Sequence, residues 1–264
     1  MNALTTAAPP GTSRPATSRW LKCFLPRPEA EVRLICLPHA GGAASAYASW
    51  ARLLPGWVEL QAVQLPGRED RLGEPMISSL PALVCALLPR LLPLTDRPWL
   101  LFGHSMGAAL GYEICQALLR LRQPLPRRLI VSGREAPLLS RRDSLHRQHD
   151  DQLIAELVRL EPSMTELLAH ADLRQMILPV VRNDYQLINN YHPDPDDPPL
   201  PIAVTAMAGD ADEELQVGDV AGWADTTLAD FSQQLFPGRH FYMREQRDAV
   251  VTQLKDLLAA ARGH

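Results

Sequence analysis

The chain has 264 residues, of which 46% are hydrophobic and 21% are charged, and its formal net charge is −4. These values are typical of one sizeable soluble α/β domain with a modest insertion, and the weak negative charge gives no reason to expect a nucleic acid as partner. No apolar stretch is long enough to span a bilayer, so we expect no membrane attachment.

The N-terminal residues 1–19 are rich in Ala, Thr, Ser and Pro and lack the hydrophobic centre of a secretion signal. We therefore predict a disordered tail over 1–19, one domain over 20–264, a monomer and a cytoplasmic location. The cysteines are scattered and mostly lie in apolar runs, which favours buried reduced thiols over disulfides or a metal site. They are Cys23, Cys36, Cys85 and Cys115. We expect no metal and no cofactor.

Strands and helices alternate along the first half of the chain. The predicted strands are 31–37, 58–65, 98–102 and 127–133, and the predicted helices are 43–54, 78–92 and 108–119. Such alternation predicts a mostly parallel sheet with helices on both faces.

The alternation stops between residues 134 and 199. This block has helical spacing and no strand pattern, and its predicted helices are 151–160, 163–170 and 172–190. We interpret it as a helical lid inserted into the sheet topology. A proline-rich connector over 191–199 ends the block, and we expect its carboxylates only to be solvated. The remaining predicted elements are strands over 202–208 and 231–236 and an amphipathic helix over 245–262.

The sequence GHSMG at residues 103–107 stands between a predicted strand and a predicted helix. A sharp turn there drives the serine toward positive φ, and the glycines two positions away remove Cβ atoms that would collide with strand and helix. The N–H of Met106 then lies at a helix start, where developing negative charge is favoured. A plain small-residue turn is the alternative, but the context favours Ser105 as a nucleophile.

A serine nucleophile needs a base and an acid that orients the base. In hydrolases with this turn the chain order is Ser, acid, His, which disfavours His39 and His104. We expect His39 to brace its loop and His104 to pack beside the turn. His240 lies in a loop between a late strand and the last helix, and we predict it as the base. Surface or structural roles are expected for His146, His149, His170, His192 and the terminal His264.

The acid is expected after the penultimate strand, where Asp210, Asp212 and Glu213 follow one another closely. We favour Asp212 because it lies beyond the tight turn, with Asp210 as the fallback. For the oxyanion we predict the backbone N–H groups of Met106 and Ala40, since the small residues at 40–42 let that loop approach a ligand. A plain Gly-Gly turn is the alternative for this loop.

Several of these segments together resemble the stand-alone type II thioesterases of nonribosomal peptide and polyketide synthases. They are LPHAGG at 37–42, QLPGREDR at 64–71, GHSMGA at 103–108, SGREAP at 132–137, GDAD at 209–212 and GRHF at 238–241. The resemblance implies an α/β-hydrolase fold, a triad of Ser105, Asp212 and His240, and an oxyanion hole from Ala40 and Met106. It also implies removal of stalled or wrong acyl groups from the phosphopantetheine arm of carrier proteins.

Two alternatives stay open on the sequence. A coenzyme A thioesterase or a small-ester carboxylesterase of the same fold would carry the same catalytic residues. A catalytically silent partner of a synthase is the alternative from another class, although such a protein has no physical need to keep all three triad residues.

Overall fold

The computed structural model describes residues 19–139, 144–216 and 218–263. The predicted tail over 1–19 lies outside the described residues except for Arg19, as does His264. Within the described part of the chain, no helix is both long enough and apolar enough to cross a membrane.

A seven-stranded sheet forms the centre of the fold, in the order β1-β3-β2-β4-β5-β6-β7. The strands are β1 (Leu21–Lys22), β2 (Val32–Leu37), β3 (Val58–Val63), β4 (Trp99–His104), β5 (Arg128–Ser132), β6 (Ala203–Gly209) and β7 (Phe231–Phe236). Only β1 pairs antiparallel, and the predicted mostly parallel sheet is confirmed. The two-residue β1 was not predicted, because so short a strand leaves no alternation in the sequence.

Helices cover both faces of the sheet, as the sequence predicted. They are α1 (Ala48–Leu53), α2 (Leu80–Leu91), α3 (Met106–Arg120), α4 (Asp150–Leu160), α5 (Met164–Ala169), α6 (Ala171–Asn189), α7 (Tyr242–Glu245) and α8 (Arg247–Arg262). Side chains of α2 and α3 share a core with Ile35 and Leu37, whereas α1 and α8 share another with Leu34 and Cys36. Successive residues of β2 therefore face opposite cores, which is why this strand is apolar throughout.

Two predicted helices begin differently in the structure, whereas the ends of the others differ from the prediction by at most two residues. The region 43–54 begins with a 3-10 turn at Ala44–Tyr47 before α1 starts. No side chain caps the start of this turn. The last residue of the turn, Tyr47, is bound to β2, because its hydroxyl donates to the carbonyl of Leu37 at 2.7 Å. The predicted helix 245–262 corresponds to α8, which starts at Arg247 and is preceded by the short helix α7 and the junction residue Gln246.

Helices α4, α5 and α6 form an insertion between β5 and β6, and the described residues from 134 to 199 contain no strand. The insertion has a small core of its own, to which α4 contributes Leu153, α5 contributes Leu168, and α6 contributes Leu178 and Val181. The insertion thus packs as a unit beside the sheet.

The carboxylates of the 191–199 connector are not all solvated, so that expectation was wrong. The side chain of Asp197 is only 6% exposed. Its oxygens lie 2.8 and 2.9 Å from Nη2 of Arg120 on α3. Gln116, one turn earlier on α3, donates to the carbonyl of Pro198 at 2.9 Å. The connector therefore lies along α3, which brings Asp197 to the arginine.

All four cysteines are free thiols, but their burial differs from the expectation. Cys36 and Cys115 are buried, and burial raises the pKa of both thiols. Cys23 is half-buried, and Cys85 is exposed on α2. The prediction of buried thiols is therefore wrong for Cys85, which lies on the solvent side of an amphipathic helix despite its apolar neighbours in sequence.

Candidate active site

Ser105 lies at the tip of the turn between β4 and α3, with φ 53° and ψ −114°. A Cβ atom on Gly103 would collide with the backbone of Gly107, and one on Gly107 would lie 2.5 Å from the carbonyl oxygen of Leu37. The N–H of Ser105 donates to the carbonyl of Ser132 at 2.8 Å. The strained turn is thus maintained by close backbone packing that only glycine permits.

Ser105 lines a cavity of about 370 Å³ between the carboxyl ends of the strands and the insertion. The walls that the insertion supplies are mostly apolar and consist of Leu157, Leu160, Glu161, Met164, Leu167, Ile177, Val181 and Tyr185. Ala40 and His240 line the same cavity. The structure therefore places a serine hydroxyl, an imidazole and an apolar chamber together.

His240 is held by Asp212. Nδ1 of His240 lies 2.9 Å from Oδ2 of Asp212, and both residues are buried. The other oxygen of Asp212 accepts the N–H of Glu214 at 3.0 Å. The hydrogen bond from Nδ1 to Asp212 assigns the proton of the neutral imidazole to Nδ1 and leaves Nε2 as the proton acceptor.

Asp210, the fallback for the acid, has a different position. Its Oδ1 accepts the N–H of Gly238 at 3.0 Å, and its own N–H donates to the carbonyl of Phe236 at 2.9 Å. The N–H of Ala211 also donates to the carbonyl of Gly238, at 2.9 Å. A Cβ atom on Gly209 would collide with that carbonyl. Asp210 therefore joins the loops after β6 and β7, and among the described residues the hydrogen bond to His240 comes from Asp212 instead.

Of the two predicted oxyanion donors, Ala40 lines the same cavity as Ser105, and Met106 follows Ser105 directly in the chain. Among the residues that the structure describes, no hydrogen bond uses the N–H of Ala40. The next two amides are occupied, since Gly41 donates to Asp184 at 2.8 Å and Gly42 to the carbonyl of His39 at 2.9 Å. Met106 is the first residue of α3, where an N–H has no partner within the helix.

His104 packs beside the turn, as expected, and His39, which lines the cavity, lies next to Phe241. The ring of His104 lies 5.0 Å from that of His240, and His39 contacts Phe241 edge to face at 5.0 Å. Nδ1 of His104 lies 2.9 Å from Oγ of Ser132. Burial and the nearby His240 lower the pKa of His104 well below its ordinary value, so this imidazole stays neutral.

The remaining predicted histidines lie away from the cavity. His146 is buried within the insertion, and its Nε2 accepts a hydrogen bond from Nε–H of Arg147 at 3.2 Å. The cavity that contains Ser105 is not lined by His149, His170 or His192. Within the described ranges, no group of three or more His, Cys, Asp or Glu side chains is arranged to hold a metal ion.

A buried ion pair beside the cavity was not predicted. Nη1 and Nη2 of Arg68 lie 2.8 and 3.0 Å from Oδ2 and Oδ1 of Asp184. Arg68 follows β3, whereas Asp184 belongs to α6, 116 residues later. Nothing in the sequence indicates this pairing, because the local sequence around each residue carries no information about its distant partner.

Comparison with known proteins finds one family along most of the chain. The family model for the thioesterase domain matches residues 32–258. A probable cadicidin biosynthesis thioesterase of Streptomyces griseus is 37% identical, over 95% of this chain and 69% of its own length.

Two solved structures share both fold and sequence with the chain. The type II thioesterase BorB from the borrelidin biosynthetic cluster has a TM-score of 0.83 and 36% identity, covering 90% of this chain and 97% of its own. YbtT, a type II thioesterase from the yersiniabactin NRPS/PKS biosynthetic pathway, has a TM-score of 0.81 and 29% identity, covering 92% and 100%. The chain therefore belongs to the thioesterase family, as a serine hydrolase that acts on thioesters and is related to type II thioesterases of nonribosomal peptide and polyketide pathways.

Proposed function

We propose that this thioesterase hydrolyses stalled or incorrect acyl groups from the phosphopantetheine arm of carrier proteins in nonribosomal peptide or polyketide biosynthesis. The observation that carries the proposal is the position of Ser105 in one cavity with His240, which Asp212 holds. The relatives named for natural-product pathways support the choice of substrate.

In the first step, Nε2 of His240 removes the proton of the Ser105 hydroxyl, and Oγ attacks the carbonyl carbon of the thioester. The carbonyl oxygen becomes negative, and the N–H groups of Ala40 and Met106 stabilise it. The tetrahedral intermediate then breaks its carbon–sulfur bond. His240 returns the proton to the sulfur, which leaves as the free thiol of the arm.

In the second step, His240 removes a proton from water, and the resulting hydroxide attacks the acyl-serine. The bond between the acyl carbon and Oγ breaks, Ser105 regains its proton from His240, and the carboxylic acid leaves. Asp212 stabilises the imidazolium in both steps, and its bond to Nδ1 keeps Nε2 directed to the reaction. Among the described residues, the Ser105 hydroxyl makes no hydrogen bond. A hydrogen bond between nucleophile and base often reaches good geometry only when substrate binds.

The chamber supports an editing role. Its walls from the insertion are largely aliphatic, and an apolar pocket separates acyl chains by only about 1–3 kcal/mol per methylene. An enzyme that must accept varied acyl groups needs such weak discrimination. We further propose that residues 20–264 form one domain in which the insertion at about 134–199 serves as the lid of this chamber.

The test of the catalytic step is Ser105→Ala, assayed with an acyl-carrier protein and mass spectrometry of the arm. We expect loss of turnover with normal folding, apart from residual catalysis of about 10³-fold over water from the remaining groups. Ser144→Ala, at an exposed serine outside the chamber, is the matched control and should keep full activity. Full turnover by Ser105→Ala would refute the nucleophile.

The test of the substrate compares kcat/KM for the same acyl group on a carrier protein and on coenzyme A. We expect the carrier protein to be preferred, because it adds a contact surface outside the chamber, whereas the chain has no phosphate-binding motif for the nucleotide. Equal values, or a preference for coenzyme A, would refute the carrier-editing role and leave the serine hydrolase intact.

A further inference from the structure

The ion pair of Arg68 and Asp184 is almost completely removed from solvent, with side chains 6% and 1% exposed. Arginine presents a planar fork that matches the two oxygens of a carboxylate, so the paired geometry is rigid. A buried charge pair of this kind is expensive to desolvate and is therefore weak support for a purely stabilising role. Its other contacts indicate a different use.

Both partners also bind the loop that carries Ala40. Oδ2 of Asp184 accepts the N–H of Gly41 at 2.8 Å, and Nη1 of Arg68 donates to the carbonyl of Gly42 at 3.0 Å. The loop is thus bound at two consecutive residues, one through its donor and the other through its acceptor. These bonds fix the orientation of the peptide groups that follow Ala40.

Helix α6 also touches this loop directly. Gly41 has φ +73°, and a Cβ atom there would lie 2.7 Å from Cγ2 of Val181, one turn before Asp184. The helix that lines the acyl chamber is therefore packed and hydrogen-bonded onto the residue after Ala40. Displacement of α6 would displace the loop with it.

We propose that Asp184 is a positioning residue for catalysis: with Arg68, it holds the loop at 40–42 so that the N–H of Ala40 faces the reacting oxygen. The inference rests on the proposed function, in which Ala40 is an oxyanion donor. Because Asp184 occupies the N–H of Gly41, the amide of Ala40 is the one left for the substrate. Such donors act by being held in place before the reaction, and a misplacement of about 1 Å costs roughly 10²-fold in rate.

The test separates positioning from stability with the double variant Arg68→Met/Asp184→Leu. Replacement of a buried ion pair by apolar side chains of similar volume often keeps or improves stability, so we expect this variant to fold. We expect kcat to fall about 10- to 100-fold while KM changes less than about threefold. Asp184→Asn, which keeps the shape and removes the charge facing Arg68, is the second variant and should show the same direction.

A binding measurement reports the oxyanion site itself. A boronic acid analogue of the acyl group forms a tetrahedral adduct with the Ser105 oxygen, whereas a thioether analogue of the acylated arm binds without reacting. We expect both variants to lose affinity for the boronic acid by about the factor lost in kcat, and to keep their affinity for the thioether. Arg182→Gln, on the same helix but paired with Asp150 outside the chamber, is the matched control and should change neither affinity.

A double variant that folds and keeps kcat and boronic acid affinity within about twofold of the wild type would overturn the positioning role. Equal losses of affinity for both analogues would overturn it too, since they would indicate a collapsed chamber. Failure of the proposed catalytic mechanism gives a different result, because Ser105→Ala would then retain turnover. If Ser105→Ala is inactive and the double variant is fully active, only the role of Asp184 is refuted.

Discussion

We predict that His104 makes the stability of this fold depend on pH. Its side chain is fully buried, Nδ1 is bonded to Ser132, and Nε2 has no partner among the described residues. Burial is the largest cause that lowers the pKa of His104 well below 6.5. Below pH 6.5 the unfolded chain therefore binds a proton at this position that the folded chain does not. Stability conferred by the neutral ring is complete above pH 6.5 and is lost as the pH falls.

The size of the effect follows from the unfolded state. In the unfolded chain, an imidazole with the ordinary pKa of 6.5 is almost wholly protonated at pH 5. If the ring stays neutral in the fold, the free energy of unfolding is therefore about 2 kcal/mol smaller at pH 5 than at pH 8. This figure is insensitive to how far the folded pKa is lowered, provided that it is well below 5. For a fold with a free energy of unfolding of about 5–15 kcal/mol, the loss is substantial.

The assay is urea unfolding at pH 8 and pH 5, followed by circular dichroism and tryptophan fluorescence in parallel. In His104→Gln, which removes the titrating ring, we expect the loss of unfolding free energy between the two pH values to be about 2 kcal/mol smaller than in the wild type. His149→Gln, at an exposed histidine, is the control and should keep the wild-type difference. An unchanged difference in His104→Gln would refute the reasoning.

Asp212→Asn should lower kcat by about 10⁴-fold because the imidazole loses its correct tautomer, whereas Asp210→Asn should cost less than about tenfold. Steady-state kinetics on one thioester ranks the two, and the reverse order would assign the acid to Asp210. Gly107→Ala puts a Cβ 2.5 Å from the carbonyl of Leu37, so we expect a loss of about 1–3 kcal/mol in urea unfolding; an unchanged midpoint would contradict this steric argument. Ile177→Trp narrows the chamber, so kcat/KM should fall roughly 10- to 100-fold more for a long acyl chain than for acetyl, and equal losses would show that Ile177 does not limit chain length.

The parts of the fold that could be predicted depend on short-range patterns. The β4 run, the GHSMG turn and α3 are contiguous, and the glycine spacing directly reflects the backbone collisions seen at Gly103 and Gly107. His240 and Asp212 were selected by chain order and by their places after strands, and the structure joins them by a hydrogen bond. Their catalytic roles stay predictions until the variants are measured.

The parts that could not be predicted depend on contacts between distant segments. The local sequence around Asp197 is a polar, proline-rich connector, and only the path of that connector along α3 buries its carboxylate against Arg120. The same holds for Asp184, whose neighbours on α6 give no sign of Arg68. An ion pair between two distant segments cannot be predicted from the local sequence of either segment.

The joined loops after β6 and β7 have a consequence for recombination between related enzymes. One backbone hydrogen bond links Ala211 to the carbonyl of Gly238, and the contact of Gly209 with that carbonyl leaves no space for a side chain. Asp212 and His240 are therefore parts of one assembly, although 28 residues separate them in the chain. A chimera inherits working geometry only if both loops come from the same parent. Between them, Leu228 before β7 is 76% exposed, and an exposed position of this kind tolerates differences between the parental sequences.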